Sequence, residues 1–114
     1  MSGPLQKYVL LVPLCYNDGT PVPNEVILDF QEALFLLGGG FTEAGTVKGA
    51  YKMEDGSRQD DESLQIWIGL PDDSAGELEE LVAELGEELG QETMYLEKTG
   101  STIQFVPPKK RGND

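Results

Sequence analysis

Hydrophobic positions fall along the chain in two rhythms, one of two residues and one of three to four, and the switches between them mark the elements. Lys7–Tyr16 is apolar at nearly every position on both alternating faces, the pattern of a strand buried within a sheet. Pro13 cannot donate to a strand ladder, so the regular part should end near Val12. A turn follows over Asn17–Pro21, and Asn24 is the expected N-cap of a helix. In that helix Val26, Ile27, Phe30, Leu34 and Leu37 form one apolar stripe, which Gly38-Gly39-Gly40 ends. Thr46–Met53 alternates with period two, Glu54–Glu62 reads as a polar loop, and Ser63–Leu70 puts Leu64, Ile66, Ile68 and Leu70 on one face. The two strands predict a hairpin with a long loop.

A second helix is the clearest element. Ser74 and Glu77 have capping-box spacing, Leu78, Leu81, Val82, Leu85 and Leu89 make the stripe, and Gly90 suits the C′ position. Thr93–Glu97 and Thr102–Val106 read as two strands joined by a tight turn with Gly100 where positive φ is needed. The order β-α-β-β-α-β-β predicts an α+β fold, a ferredoxin-like split βαβ sandwich with two helices on one face of an antiparallel sheet and a C-terminal edge strand. Residues 1–108 should form one domain and 109–114 a basic flexible tail.

Charge changes the picture more than composition does. The net charge is −13, and between Glu54 and Glu97 fifteen acids face a single base, Arg58. A body this negative is repelled by DNA, RNA and anionic lipid, so direct binding to nucleic acid or membrane is not expected. The apolar run at Tyr8–Leu14 is too short to span a bilayer, no basic leader precedes it, and a cytoplasmic location is the default expectation.

The chain has no histidine and one cysteine. Those two facts remove Ser-His and Cys-His nucleophile pairs and leave no ligand set for zinc. Cys15 reads as a buried structural thiol. The three consecutive glycines follow a helix and lack the Lys-Ser/Thr of a phosphate loop, so they read as a loop. Asp55, Asp60, Asp61 and Glu62 crowd the expected hairpin loop without calcium-site spacing. No catalytic residue, metal or cofactor is assigned from the sequence.

Three surfaces remain as candidates. On the second helix Glu77, Glu80, Glu84, Glu87 and Glu88 form an acidic face without a basic residue, which is either a solvated surface or a partner-binding one. Trp67 points away from the Leu64–Leu70 apolar face, beside Tyr51 on the outer sheet surface or packed beneath the loop. Glu92, Tyr95 and Glu97 cluster on one strand and could line a pocket.

Gly39-Gly40-Phe41-Thr42 and Gln91–Glu97 resemble stretches in small uncharacterised bacterial and phage-borne ferredoxin-like domains. The resemblance implies the fold and no activity. The leading functional expectation is a non-enzymatic binding or regulatory module acting by protein–protein contact. In its sharper form it is an inhibitor whose Glu-rich face mimics nucleic acid, as anti-restriction or anti-CRISPR proteins do. Its partner would be a basic protein surface, such as that of a nucleic-acid-binding protein. The alternative is a small-molecule-binding or catalytic homodimer of ferredoxin-like type, with its pocket near Tyr95 and Glu97.

Overall fold

A computed structural model describes residues 4–109. Strand β1 (Leu5–Pro13) leads to helix α1 (Asn24–Gly38), then strands β2 (Thr42–Lys52) and β3 (Arg58–Leu70). A 3-10 turn at Asp72–Ser74 opens helix α2 (Ala75–Glu88), and β4 (Tyr95–Ile103) completes the chain. The sheet is antiparallel in the order β2-β3-β1-β4, with both helices on one face, so the α+β ferredoxin-like architecture read from the sequence is present. Of the expected tail, residues 110–114 lie outside the described residues.

The inner face of the sheet carries Tyr8, Leu10 and Val12 from β1 and Ile66, Ile68 and Leu70 from β3. These meet Ile27, Phe30 and Leu34 of α1 and Leu78, Val82 and Leu85 of α2, as both helical stripes predict. Burying each such side chain fully is worth about 1.5–3 kcal/mol. The close of α1 is tight: a Cβ on Gly38 would lie 2.9 Å from Ile68 Cδ1, so glycine lets the helix end rest on the sheet without displacing that side chain. Gly39 then takes φ 79° and its amide donates to the Phe35 carbonyl.

Several local expectations are corrected. Asn24 is not the N-cap of α1, because Pro23, held at φ −57° and ψ 140°, is the last extended residue and its carbonyl accepts from Val26. The capping box is not formed: Ser74 sits in the 3-10 turn at φ −97° and ψ −1°, and its side chain makes no cap bond. The polar loop shrinks to a turn over residues 53–57, where Gly56 takes φ 86°. Asp60, Asp61 and Glu62 therefore belong to β3, opposite Ala50, Gly49 and Lys48. This hairpin runs past the helices, so both its faces meet water and the apolar alternation that signals a strand is missing.

The last two strands are one. Gly100, at φ 84°, marks a bulge and not a hairpin turn. β1 pairs on both sides of it, Tyr8 with Lys98 and Gln6 with Thr102. A positive-φ glycine serves either geometry, and only the partner strand decides between them. Cys15 is exposed, not buried, because the chain leaves the sheet after Pro13 and makes a lone bridge to Pro21.

Two stability predictions follow from these contacts. Tyr8 is buried and its hydroxyl has no hydrogen-bond partner among the described residues. Tyr8→Phe should therefore be as stable to unfolding as the parent or more stable by up to ~1 kcal/mol, whereas a loss of that size would show a satisfied hydroxyl. Asp18 accepts from the hydroxyl and amide of Thr20, and Asp55 from those of Ser57, which holds both carboxyls below the usual value. Groups with depressed folded-state pKa values stabilise above their unfolded values, about pH 4, and lose that contribution as pH falls through the folded ones. The Asp18→Asn/Asp55→Asn double variant should show a shallower fall in melting temperature below pH 4, and an unchanged slope would contradict this.

Candidate functional site

The outer face of the sheet carries no helix, and a cleft of about 410 Å³ lies at one end of it. Its cause is a difference in strand length. β1 stops at Pro13, paired with Ser63, while β3 extends to Arg58. β4 begins at Tyr95, opposite Leu11. Beyond Pro13 the sheet thus has a slot where β1 would have continued. Leu11 and Pro13 form its floor, the β2–β3 hairpin one wall, and Gln91–Tyr95 the other. Ligand sites are commonly about 300–1,000 Å³, so the cleft is of ligand size.

The second wall is held by contacts distant in sequence. Asn17 donates to the Gly90 carbonyl at 3.2 Å and accepts from Gln91 Nε2 at 3.0 Å. Met94 packs on Gly86, where a Cβ would lie 2.7 Å from Met94 Cγ. On the hairpin side, Tyr51 lies back over Gly49, since a Cβ there would fall 2.7 Å from its hydroxyl. Asn17, Gly49 and Gly86 were not visible as site residues in the sequence, because their roles exist only once the walls are brought together.

Tyr51 and Tyr95 are 42% and 44% exposed and face into the same cleft. The Tyr95 hydroxyl donates to Glu97 Oε1 at 2.9 Å. That bond, helped by desolvation and by the negative charge of Glu97, raises the Tyr95 phenol above its ordinary pKa. Tyr95 is therefore a neutral hydrogen-bond donor near neutral pH and no base. Glu54, Asp61 and Glu92 line the cleft, against the single base Lys52. Two phenol rings beside several carboxylates favour a cation over an anion.

Of the expected trio Glu92, Tyr95 and Glu97, the first two line the cleft together with Tyr51, while Glu97 lies outside its lining and touches it only through the Tyr95 hydroxyl. Tyr51 does not stand beside Trp67. Its β3 partner is Gln59, eight residues from Trp67 along one strand, or roughly 26 Å. Trp67 lies at the other end of the outer face, 37% exposed, with Lys7 Nζ 3.8 Å from its ring centroid. It borders a second cleft of about 540 Å³ near Gly39 and Ile103. The five glutamates of the acidic face, Glu77, Glu80, Glu84, Glu87 and Glu88, are all exposed on α2, in the layer behind the sheet and away from the Tyr51–Tyr95 cleft. Among the described residues no three carboxylate or cysteine side chains converge as a metal site would require. No helix among them is long and apolar enough to cross a membrane.

No family profile and no curated protein matches the chain. Solved structures do. A phage SAM lyase in complex with S-methyl-5'-thioadenosine superposes with a TM-score of 0.63 at 20% identity, over 91% of this chain and 88% of that one. A phage SAM lyase in the apo state gives 0.58 at 23%, over 91% and 88%. The divalent cation tolerance protein CutA1 from Thermus thermophilus gives 0.59 at 14%, over 92% and 87%. At these identities the likeness establishes a shared fold. These comparisons correct the expectation of a non-enzymatic inhibitor mimicking nucleic acid: the neighbours are an enzyme and a cation tolerance protein. The chain is a ferredoxin-like domain similar in fold to phage SAM lyases and to CutA1.

Proposed function

We propose that the chain is a small-molecule-binding or catalytic domain whose ligand is a small organic cation carrying a flat ring, held in the Tyr51–Tyr95 cleft. The observation that carries this reading is the composition of the cleft: two exposed phenol rings with Glu54, Asp61 and Glu92 around a floor of Leu11 and Pro13. The rings supply stacking area and an electron-rich face for a cation. The carboxylates supply the counter-charge, and the apolar floor rewards desolvation. SAM has both required parts, a sulfonium cation and an adenine ring. The likeness in fold to a SAM lyase supports it as the first ligand to test.

The chemistry open to such a site is narrow. Without histidine, proton transfer there falls to carboxylates, phenols and the amine of Lys52. Glu97 accepts the single hydroxyl proton of Tyr95 and keeps the phenol protonated, so the Tyr95 oxygen is left to accept a hydrogen bond from a ligand N–H or O–H. Glu92 and Asp61 are placed to attract an ammonium or sulfonium centre.

Calorimetry should show SAM binding more tightly than S-methyl-5'-thioadenosine, which lacks the positive charge. Tyr51→Ala and Glu92→Gln should each weaken SAM about five- to tenfold, and Glu92→Gln should leave the neutral ligand nearly unchanged. No SAM binding at millimolar concentration, or binding indifferent to both substitutions, would sink the reading. A second prediction concerns Tyr95 directly. Its folded-state pKa is raised, so the Tyr95–Glu97 bond stabilises below the unfolded phenol value, about pH 10, and is lost as pH rises through the folded one. In an ultraviolet titration Glu97→Gln should bring one tyrosine down towards that value, and an unchanged tyrosinate profile would show that the bond is not formed.

A further inference from the structure

We propose that the second cleft, at the Trp67 end of the molecule, is a binding site for a small aryl- or acyl-carboxylate. It is separate from the Tyr51–Tyr95 cleft and does not depend on the reading given to that one. A mismatch of strand ends builds it. β3 runs on to Leu70, but β2 begins only at Thr42, opposite Trp67. The chain leaving α1 borders this gap as Gly38-Gly39-Gly40, which puts no side chain into it. A Cβ at Gly40 would meet no atom within 4 Å beyond its chain neighbours. The result is a cleft of about 540 Å³, within the usual range for small ligands.

Three features of the lining select the ligand. Leu5, Phe41, Ile103 and Phe105 make it mainly apolar, and Phe105 is 81% exposed, so an apolar body gains by covering them. Charge comes second. Lys7 is the one charged residue of the lining, and no carboxylate there pairs with it. Its β3 partner is Gly69, whose missing side chain lets Lys7 lean along the strand until Nζ lies 3.8 Å from the Trp67 ring centroid. Neither of the two ion pairs among the described residues includes Lys7. In a chain of net charge −13, a cation between apolar walls makes this cleft a local exception that favours an anion. The third feature is open backbone. Beyond Trp67 no strand pairs with the β2 side of β3, and no backbone bond from Gly39–Phe41 replaces it among the described residues. Backbone groups alternate between a strand's two neighbours, so Ile68–Leu70 turns at least one N–H and C=O toward that side. A carboxylate matches this set, taking a charge-assisted bond from Lys7 and accepting from backbone N–H. The indole N–H is already used, since it donates to Gln65 at 2.9 Å.

Trp67 is the single tryptophan, so its emission reports on this cleft. Phenylacetate at millimolar concentration should change that emission saturably, and neutral phenylacetamide should bind about tenfold more weakly. Calorimetry on Lys7→Met should show the carboxylate weakened about tenfold and the amide unchanged, because methionine keeps the apolar stem. Thr42→Lys adds a second cation at an exposed position paired with Trp67, and it should tighten the carboxylate but not the amide. This variant carries the charge test if Lys7→Met fails to fold. Added salt should weaken the carboxylate alone. Backbone amide shifts during the titration should concentrate at Gly38–Thr42 and Trp67–Leu70. No saturable phenylacetate binding to either the parent or Thr42→Lys would overturn the proposal. Equal affinity for acid and amide would do the same, as would amide shifts confined to the Tyr51–Tyr95 cleft. SAM binding, present or absent, bears only on that other cleft.

Discussion

β1 holds a central place in the sheet, hydrogen-bonded to β3 on one side and β4 on the other; it ends at Pro13, and after one more backbone bond, from the Leu14 amide to the Glu62 carbonyl at 3.0 Å, the chain turns away. The neighbouring β3 has no such stop at that end, because β2 continues to pair with it as far as Arg58. One strand ending before its neighbour leaves a slot, and the slot is the cleft. Its floor is the last outward residues of β1, Leu11 and Pro13, and its walls are the segments that overrun them. The position of the two tyrosines follows from the same ladder, since Tyr95 pairs with Leu11 and Tyr51 lies on the overrunning hairpin.

The distribution of charge completes the division of the molecule into two faces. Six glutamates occupy the exposed surface of α2, where solvent screens them and where three stand near the favourable end of the helix dipole. The surface ion pairs, Arg58–Asp60 at 2.8 Å and Lys98–Asp72 at 2.9 Å, are solvated and contribute little to stability. Stability rests instead on the inner apolar layer, tightened at Gly38 and tied to the edge strand by the buried Gln31, which donates to Glu43 at 2.5 Å. The outer sheet face carries its own, smaller set of charges, Lys7 over Trp67 at one end and Glu54, Asp61 and Glu92 around the cleft at the other.

Where the chain repeats with helical or strand period over an apolar face, its sequence was sufficient. The two helical stripes, the Leu64–Leu70 face and the apolar β1 each reappear as part of the core, because burial imposes the same period on sequence and structure. Capping residues were less legible. Asn24 and Ser74 have the chemistry of a cap, but a neighbouring proline and a 3-10 turn decide the backbone angles on which capping depends. The hairpin was read too short, since a strand with both faces in water leaves no apolar alternation to find.

By itself, then, the sequence determined the fold class, the composition of the core, the absence of histidine chemistry and the cluster of Glu92, Tyr95 and Glu97 on one short segment. Tertiary structure alone decided that Gly100 bends one strand and does not join two, that Tyr51 belongs with Tyr95 and not with Trp67, and that Lys7 lies over Trp67. The physical reason is the same in each case. Periodicity is local and is written by burial along a single element, whereas strand register and cross-strand neighbours are set by pairing between segments that the sequence keeps far apart.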